Sequence, residues 1–247
     1  MTLLSEAVAA FRRHGAVKVP APSREFRQLA DEARALAEQY GVRRELEFAE
    51  TGHTPRRMRN VRCQEISAHG RAIPALYDSP EIRAVLGEVA GEEVLTCPYE
   101  PERFVITELR ESGDTHGWHW DDYSFALVWV VDCPPPRDGG SVQYVPGTTW
   151  NKADPQLHRQ LAAGPVRTLD LRPGDRYLMR TDTTLHRVTP LRRGRRLIVN
   201  MAYAARRDLA KEISHTTMDG LWAPPASPGD QAGRDVGGDA GRPGGGE

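Results

Sequence analysis

The first third of the chain has a helical pattern in two places, separated by a charged stretch. Apolar residues recur at helical spacing up to Gly41, and Pro22-Ser23 is a helix start signal within this part. Together these features predict helices over residues 2–40. Residues 42–78 carry many charges without a clean period, which predicts irregular structure. A Ser-Pro-Glu start and a glycine stop predict another helix over residues 79–90.

From Val94 onward the chain alternates short runs rich in Val, Tyr, Trp and Thr with turns rich in Pro and Gly. This rhythm is typical of an all-β sandwich or barrel. It predicts a mainly β fold, a double-stranded β-helix (jelly roll, cupin-like) whose sheet is covered by the N-terminal helices. The predicted strands are residues 103–109, 123–132, 140–145, 166–171, 176–180, 186–189 and 195–203.

The length of 247 residues fits one compact domain with additions at its ends. We predict a single domain over residues 1–222, in which residues 1–92 supply the helices and residues from about 93 to 205 form the jelly roll. Residues 223–247 are too rich in Gly, Pro and Asp to bury a core, so a disordered tail is predicted there.

Composition narrows the choice of partners and compartment. Apolar residues make up 39% of the chain and charged residues 27%, and no apolar run is long enough to span a membrane. The formal net charge of −1 gives no general attraction to nucleic acid phosphates. Three widely spaced cysteines support neither a disulfide framework nor a zinc module. We therefore expect a cytoplasmic protein, monomeric or homodimeric, without membrane or nucleic acid partners, since its N-terminus resembles an amphipathic helix and not a secretory signal.

Residues that suggest chemistry begin just before an apolar strand, where His119 and Asp121 stand two positions apart. Side chains at i and i+2 of an extended segment point to the same side, so an imidazole and a carboxylate can converge on one ion. The pair alone is weak evidence, because a hydrogen-bonded pair at a strand start is the ordinary explanation. His186, far downstream, strengthens it, since two histidines and one carboxylate form the facial triad of non-haem Fe(II) oxygenases.

A cation close to such a triad would add a second function. A dicarboxylate cosubstrate needs a positive group at the far end of its site, and arginine grips a carboxylate with two parallel hydrogen bonds. Arg196 follows His186 on the partner strand and is our candidate. Arg195 points to the opposite face of that strand, so only one of the two can serve, and a solvent-exposed arginine is the alternative for either.

Three motifs resemble the His-x-Asp…His…Gly-x-Arg pattern of Fe(II)- and 2-oxoglutarate-dependent dioxygenases: His119-Trp120-Asp121, His186 and Gly194-Arg195-Arg196. The resemblance covers roughly residues 94–203. More closely, the segment HGWHWDDYSFALVW is similar to the radical halogenases that chlorinate lysine and related free amino acids, and to their hydroxylating relatives. The resemblance implies Fe(II) as cofactor and 2-oxoglutarate and O2 as cosubstrates, with succinate and CO2 as products.

The chain departs from these halogenases at one position. In the halogenases a glycine replaces the carboxylate ligand and opens a coordination position for chloride, whereas this chain has Asp121. A carboxylate there occupies the halide position. The resemblance therefore implies the hydroxylating branch, which converts an unactivated C–H bond of a free amino acid into a hydroxy-amino acid.

The same resemblance implies a pocket for a cationic amino acid, with lysine the first choice. A zwitterion with an extra positive charge needs more acids than bases around it, because an unpaired ion in a closed pocket is costly. Arg56 would bind the α-carboxylate. The other candidates are Glu102 and Asp122 for the ammonium groups, with His116, Asn200 and Trp222 completing the pocket. Ordinary roles such as a turn cap, a solvated strand residue or a packing anchor compete with each assignment.

Three other interpretations stay open from the sequence. An oxygenase with the same iron centre could act on another small molecule or on a peptide. A jelly-roll metal-binding module without turnover could use the same three ligands, although it would have no need of Arg196. Zinc bound through His116 and His119 would lack a third ligand at the expected spacing.

Overall fold

The computed structural model describes residues 3–20 and 23–223, so the predicted tail lies outside the described residues except for Ala223. The α-helices are α1 (Leu3–His14), α2 (Ser23–Tyr40), α3 (Cys63–His69), α4 (Ala72–Tyr77), α5 (Pro80–Ala90), α6 (Leu157–Ala162) and α7 (Thr216–Trp222). Short 3-10 helices span Ala49–Thr51, Glu100–Glu102, Pro136–Asp138 and Arg206–Ala210. The strands are β1 (Ala16–Val19), β2 (Val42–Leu46), β3 (Arg56–Val61), β4 (Leu95–Thr96), β5 (Phe104–Leu109), β6 (Thr115–His119), β7 (Phe125–Asp132), β8 (Val142–Pro146), β9 (Arg167–Thr168), β10 (Arg176–Arg180), β11 (Thr184–Val188) and β12 (Arg196–Ala204).

The described strands form one antiparallel sheet in the order β1-β10-β7-β12-β5-β3-β6-β11-β8-β9, with β2 paired to β3 and β4 paired to β12. The sheet curls into a half-barrel flanked by helices, which confirms the predicted mainly β fold. This order places β6 beside β11, so two distant parts of the chain meet in space.

Alternation of side chains along β7 and β12 separates two hydrophobic clusters. The odd-numbered residues of β7, including Trp129, pack against helices α1 to α5. The even-numbered ones, including Val128, face the interior of the half-barrel together with Ile198 of β12. Burial of each large apolar side chain stabilises the fold by about 1.5–3 kcal/mol. Arg196 and Asn200 share the alternation of Ile198, so the same pattern turns two polar side chains into the interior.

The prediction of irregular structure for residues 42–78 is wrong, because this stretch contains β2, β3, α3 and α4. Charged residues hid the strand pattern, since Arg56 is buried on the same face of β3 as Met58. Partners elsewhere compensate the charges of this stretch. Arg59, for example, donates to the buried carboxylate of Glu108 at 2.7 Å. A strand can therefore be rich in arginine when neighbouring strands supply acids.

Smaller differences concern the ends of predicted elements. The helical prediction for residues 2–40 is confirmed for α1 and α2 but misses β1 between them, where Gly15 ends α1 with a φ of 68°. The strand predicted over 166–171 is reduced to β9. Strand β6 is not among the predicted strands, because its inward positions are polar residues that face a cavity and break the apolar alternation.

Two further features concern the cysteines and the apolar content of the helices. Cys63 and Cys97 are buried, Cys133 is half-buried, and all three are free thiols that pack as small hydrophobic residues. Over the described residues, no helix combines the length and the apolar content that crossing a bilayer requires.

Candidate metal centre and active site

Three side chains meet at the edge shared by β6 and β11. His119 and His186 are directly opposite each other in the register of these strands, and Asp121 lies two residues beyond His119. One carboxylate oxygen, Oδ1 of Asp121, lies 3.7 Å from Nε2 of His119 and 3.8 Å from Nε2 of His186. One donor atom from each residue falls within 4.8 Å of the others. This spacing allows one small cation to contact all three.

Backbone carbonyls fix the orientation of both imidazoles. Nδ1 of His119 hydrogen-bonds to the carbonyl oxygen of Gly117 at 2.7 Å, and Nδ1 of His186 to that of Thr184 at 2.9 Å. A proton on Nδ1 donates in each pair and leaves the Nε2 lone pair free for a metal. Burial lowers the pKa of His119 well below its ordinary value, and nearby His116 adds to this, so the imidazole stays neutral.

Gly117 is needed for the approach of a neighbouring loop to β6. Its amide donates to the carbonyl of Pro55 at 2.8 Å, and a Cβ at this position would lie 2.6 Å from the Cβ of Thr54. The Thr54 hydroxyl in turn donates to the carbonyl of Trp118 at 2.7 Å. These contacts hold the segment before β3 against β6 and bring Arg56 opposite His116.

The triad lies between two chambers, which we name after their arginines. The Arg196 chamber occupies the interior of the half-barrel, and the Arg56 chamber lies between β3, β5 and α7. Both chambers are lined by Thr107, His116, His119, Asp121 and Asn200. A metal on the triad would therefore be open to a ligand from each side.

The Arg196 chamber contains one buried cation. Arg196 is 2% exposed, no described acid lies within ion-pair distance of it, and its Nη2 has no hydrogen-bond partner. Burial lowers the pKa of its guanidinium, and the Tyr177 hydroxyl beside it acts in the opposite direction. Burying a guanidinium whose neighbouring polar group is a phenol costs free energy unless an anion binds to it. The chamber thus fits a carboxylate ligand.

Arg195 lies on the other face of β12 and already has partners. Its Nε is 2.7 Å from a carboxylate oxygen of Glu108. The carboxylates of Glu38 and Asp132 lie within 4 Å of its two Nη atoms. The geometry therefore favours Arg196 over Arg195 as the residue that meets a cosubstrate.

The Arg56 chamber carries several charges. Arg56 is buried, its Nε has no hydrogen-bond partner, and its guanidinium lies 4.8 Å from the ring centroid of Phe48. Burial lowers the pKa of Arg56 to about 10. Glu102 is also buried with an unpartnered Oε2, and burial, followed by the charge of Asp122, raises its pKa well above the usual value.

Asp122 is the second acid of this chamber, and it has an ion-pair partner that sequence reasoning missed. Its carboxylate is 3% exposed and pairs with the ammonium of Lys152, which lies in the loop between β8 and α6. Burial raises the pKa of Asp122, while Lys152 opposes the shift. No periodicity in the sequence links the two residues, because the contact joins two loops.

His116 and Asn200 line both chambers, whereas Trp222 lies outside the Arg56 chamber. The His116 ring stacks on that of His119 with a centroid distance of 3.6 Å. Trp222 faces the guanidinium groups of Arg44 and Arg62 instead, at 5.6 and 5.4 Å. The predicted place of Trp222 in the pocket is therefore corrected, because other side chains of α7 line the chamber: Thr217, Met218 and Leu221.

The donor set agrees with the chemistry of iron better than with that of structural zinc. Two imidazoles and one carboxylate with open positions are the ligand set of non-haem Fe(II) sites, whereas structural zinc sites are closed by four protein ligands. Among the described residues, His116 does not join the group of donor atoms that could share one ion. The unpaired Arg196 guanidinium also fits the carboxylate that 2-oxoglutarate would bring.

The fold is the one found in solved iron- and 2-oxoglutarate-dependent oxygenases. The chain is similar to the epimerase SnoN in complex with Fe3+, alpha ketoglutarate and nogalamycin RO, with 21% identity, a TM-score of 0.63, and 82% of this chain and 83% of that chain covered. It is similar to a 2OG-Fe(II) oxygenase family oxidoreductase from Burkholderia pseudomallei (16% identity, TM-score 0.58, 82% and 91% covered). A prolyl-4-hydroxylase from Pseudomonas putida gives 16% identity and a TM-score of 0.55, with 83% and 100% covered. At sequence identities this low, the structural similarity shows a shared fold and nothing further.

The sequence itself shows the family. Residues 2–223 match the model of the Halogenase D (HalD) family, and the chain belongs to that family. The comparison with curated proteins gives no match. The triad fits the predicted iron, and the similar SnoN structure was solved with Fe3+ and alpha ketoglutarate.

Proposed function

We propose that this protein is an Fe(II)- and 2-oxoglutarate-dependent hydroxylase of a free amino acid, with lysine or a similar cationic amino acid as substrate. One observation carries the proposal: the triad stands between a chamber with one unpaired buried cation and a chamber with buried groups of both signs. A dicarboxylate fits the first chamber, and an amino acid with an extra ammonium fits the second.

His119 and His186 would hold the iron through Nε2 and Asp121 through a carboxylate oxygen. When bound, iron and 2-oxoglutarate supply O2 activation and removal of hydrogen from an unactivated carbon, with succinate and CO2 as by-products. The carbonyls of Gly117 and Thr184 keep both imidazoles in the tautomer that a metal requires.

Arg196 would bind the distal carboxylate of 2-oxoglutarate, and Tyr177 would orient the guanidinium. Apolar side chains such as Val128 and Ile198 line this chamber and would lower the dielectric around the ion pair, which strengthens it relative to the same pair in solvent. A cosubstrate held at one end by Arg196 presents its other end toward the triad, since both line the same chamber.

Arg56 would bind the α-carboxylate of the substrate, and Glu102 and Asp122 would receive its ammonium groups. An ammonium beside Glu102 favours the ionised carboxylate, which offsets the effect of burial on this group. His116 and Asn200 line the boundary of the two chambers and would restrict where the substrate carbon can lie. Positioning of this kind decides which carbon is oxidised.

Asp121 favours hydroxylation over halogenation, although the chain belongs to a halogenase family. Its Oδ1 is within 3.8 Å of both histidine Nε2 atoms, so a carboxylate is available at the position where the lysine-type halogenases have glycine. Asp121 would supply a carboxylate ligand where a halogenase would need room for chloride.

The experiment is a panel of free amino acids and short peptides with Fe(II), 2-oxoglutarate, O2 and chloride, scored by succinate formation and by product mass. We expect succinate in proportion to product, a gain of one oxygen atom, and the highest rates for lysine or ornithine. A chlorinated product would contradict the role of Asp121, and succinate formed only with a peptide would contradict the substrate class. If no compound of the panel gives succinate or an oxidised product, the proposed amino acid hydroxylase activity fails. His186→Ala, measured in parallel, controls for contaminating oxygenases.

A further inference from the structure

Lys152 lies in a loop at the border of the Arg56 chamber. The chain has only three lysines, at positions 18, 152 and 211, among 33 basic residues. The Lys152 ammonium contacts a carboxylate oxygen of Asp122 and the backbone carbonyl of Ser214, and it lies 4.4 Å from the ring centroid of Trp150. The loop after β8 is thereby tied to the segment before α7.

These three partners form a binding site for a primary ammonium. An ammonium has three donors and no acceptor, so a carboxylate, a carbonyl and an aromatic face suit it well. The carboxylate of Asp122 is 3% exposed and lines the chamber, while the side chain of Lys152 is 25% exposed. The acid therefore belongs to the pocket, and the lysine enters from the solvent side and can withdraw there.

Glu102 is a second buried acid that lines the same chamber, and no base among the described residues lies within ion-pair distance of it. The residue is 4% exposed, and its Oε2 has no hydrogen-bond partner. One acid is thus open to a ligand and the other is occupied by the protein's own ammonium.

Outside the triad, the formal charges of the chamber and of Lys152 at its border sum to zero. The positive groups are Arg56 and Lys152, and the negative groups are Glu102 and Asp122. A zwitterion with an uncharged side chain leaves this balance unchanged. A cationic amino acid adds one positive charge, which the chamber can neutralise only when Lys152 leaves Asp122.

We propose that Lys152 is an internal competitor for the substrate's side-chain ammonium, and that it sets the preference of the chamber between cationic and uncharged amino acids. The inference rests on the proposed function for the identity of the substrate, but the ammonium site itself can be tested without turnover. A cationic substrate binds by displacing Lys152 from Asp122, so part of its binding free energy is spent on breaking this ion pair.

The first test measures thermal unfolding with and without n-butylammonium, a primary ammonium that lacks the amino acid headgroup. Lys152→Met vacates the site, so we expect n-butylammonium to raise the Tm of this variant and not that of the wild type. Lys152→Gln is a second variant that keeps a polar side chain, and it should behave in the same way. Lys18→Met is the matched control, since it removes a lysine–aspartate pair of 2.7 Å on β1. Absence of any increase in Tm in both Lys152 variants would overturn the inference.

The second test compares the KM for lysine with that for norleucine, its uncharged analogue. In Lys152→Met we expect the KM for lysine to fall about tenfold, which corresponds to about 1.4 kcal/mol, with little change for norleucine. A rise in both KM values would make Lys152 a structural support and contradict competition. If n-butylammonium binds to the Lys152 variants while no amino acid is turned over by any form, the ammonium site stands and the proposed function fails.

Discussion

The two chambers beside the triad are built from different parts of the molecule. The Arg196 chamber is formed by side chains of central strands, including β7, β10 and β12, and its buried cation is Arg196, while the half-buried Arg187 also lines it. The Arg56 chamber combines β3, the 3-10 helix Glu100–Glu102, the residue after Asp121 and helix α7, and it contains charges of both signs.

Under the proposed function, this difference would let the fold keep one cosubstrate while its amino acid substrate changes. Side chains on paired central strands are fixed by the sheet, so the geometry around Arg196 changes little when loops vary. Residues on short helices and loops can change without disturbing the core. We therefore expect substitutions in the Arg196 chamber to affect 2-oxoglutarate, and those in the Arg56 chamber to affect the amino acid.

The largest effect is expected from His186→Ala, because the triad serves both chambers. Loss of one of three ligands should reduce Fe(II) binding and lower succinate formation by more than about 100-fold, since even changes to residues that only support metal ligands cost 10–100-fold. Iron content and succinate formation are the measurements. His158→Ala, at an exposed histidine of α6, is the control and should retain both. Full activity in His186→Ala would exclude the triad as the metal site.

The pair Arg196→Met and Arg195→Met separates the two faces of β12. Removing a buried charge from an ion pair costs about 2–5 kcal/mol, so the KM for 2-oxoglutarate should rise about 100-fold in Arg196→Met. Arg195→Met removes a guanidinium that pairs with Glu108 outside the chamber, and its KM should stay close to that of the wild type. Equal effects of both substitutions on this KM would contradict the assignment of the chamber.

Glu102→Gln tests the other chamber while nearly preserving side-chain shape. A hydrogen bond to a charged group contributes about 1.5–3 kcal/mol, so the KM for the amino acid should rise tenfold or more. The KM for 2-oxoglutarate should not change, because Glu102 lines only the Arg56 chamber. A parallel rise of both constants would mean that the chambers are not independent.

A smaller effect is expected at Asp208, which supports the loop that follows the triad. Its buried carboxylate accepts hydrogen bonds from the amide and hydroxyl of Ser124 and from the amide of Ala205. Burial raises the pKa of Asp208, but these hydrogen bonds and Lys211 together hold it below 3.8. Stabilisation by this group is therefore present above pH 3.8 and is lost as the pH falls through the lowered pKa.

Asp208→Asn should lower the free energy of unfolding by about 2 kcal/mol at neutral pH, measured by urea denaturation. The difference from the wild type should shrink as the wild-type carboxylate protonates in acid. Asp31→Asn is the control, since the Asp31 side chain is 82% exposed. A stability difference that stays constant down to acid pH would contradict a role for the ionised carboxylate.

The sequence could predict those parts of the site that depend on alternation within one strand. His119 and Asp121 share a side because they are two residues apart, and Arg196 differs from Arg195 because neighbours on a strand face opposite ways. The jelly roll was predictable for the same reason, since apolar alternation and turn residues mark most of its strands.

Contacts that depend on strand order and on loops could not be predicted. Tyr177 meets Arg196 only because β10 and β12 flank β7, and pairing order is not encoded in the period of either strand. Strand β3 was missed because Arg56 occupies an inward position that is normally apolar. Lys152 reaches Asp122 across a loop, where neither periodicity nor a motif marks the contact. Each of these features depends on strand order, on a buried charge or on a loop contact, none of which a local sequence period marks.

Anaerobic titration with Fe(II) and 2-oxoglutarate tests the central claim most directly, namely that the triad and Arg196 form one site. We predict a visible charge-transfer band that requires both additions, is absent in His186→Ala, and needs a much higher 2-oxoglutarate concentration in Arg196→Met than in Arg195→Met. Iron binding without such a band in the wild type, or a band insensitive to Arg196→Met, would contradict this account.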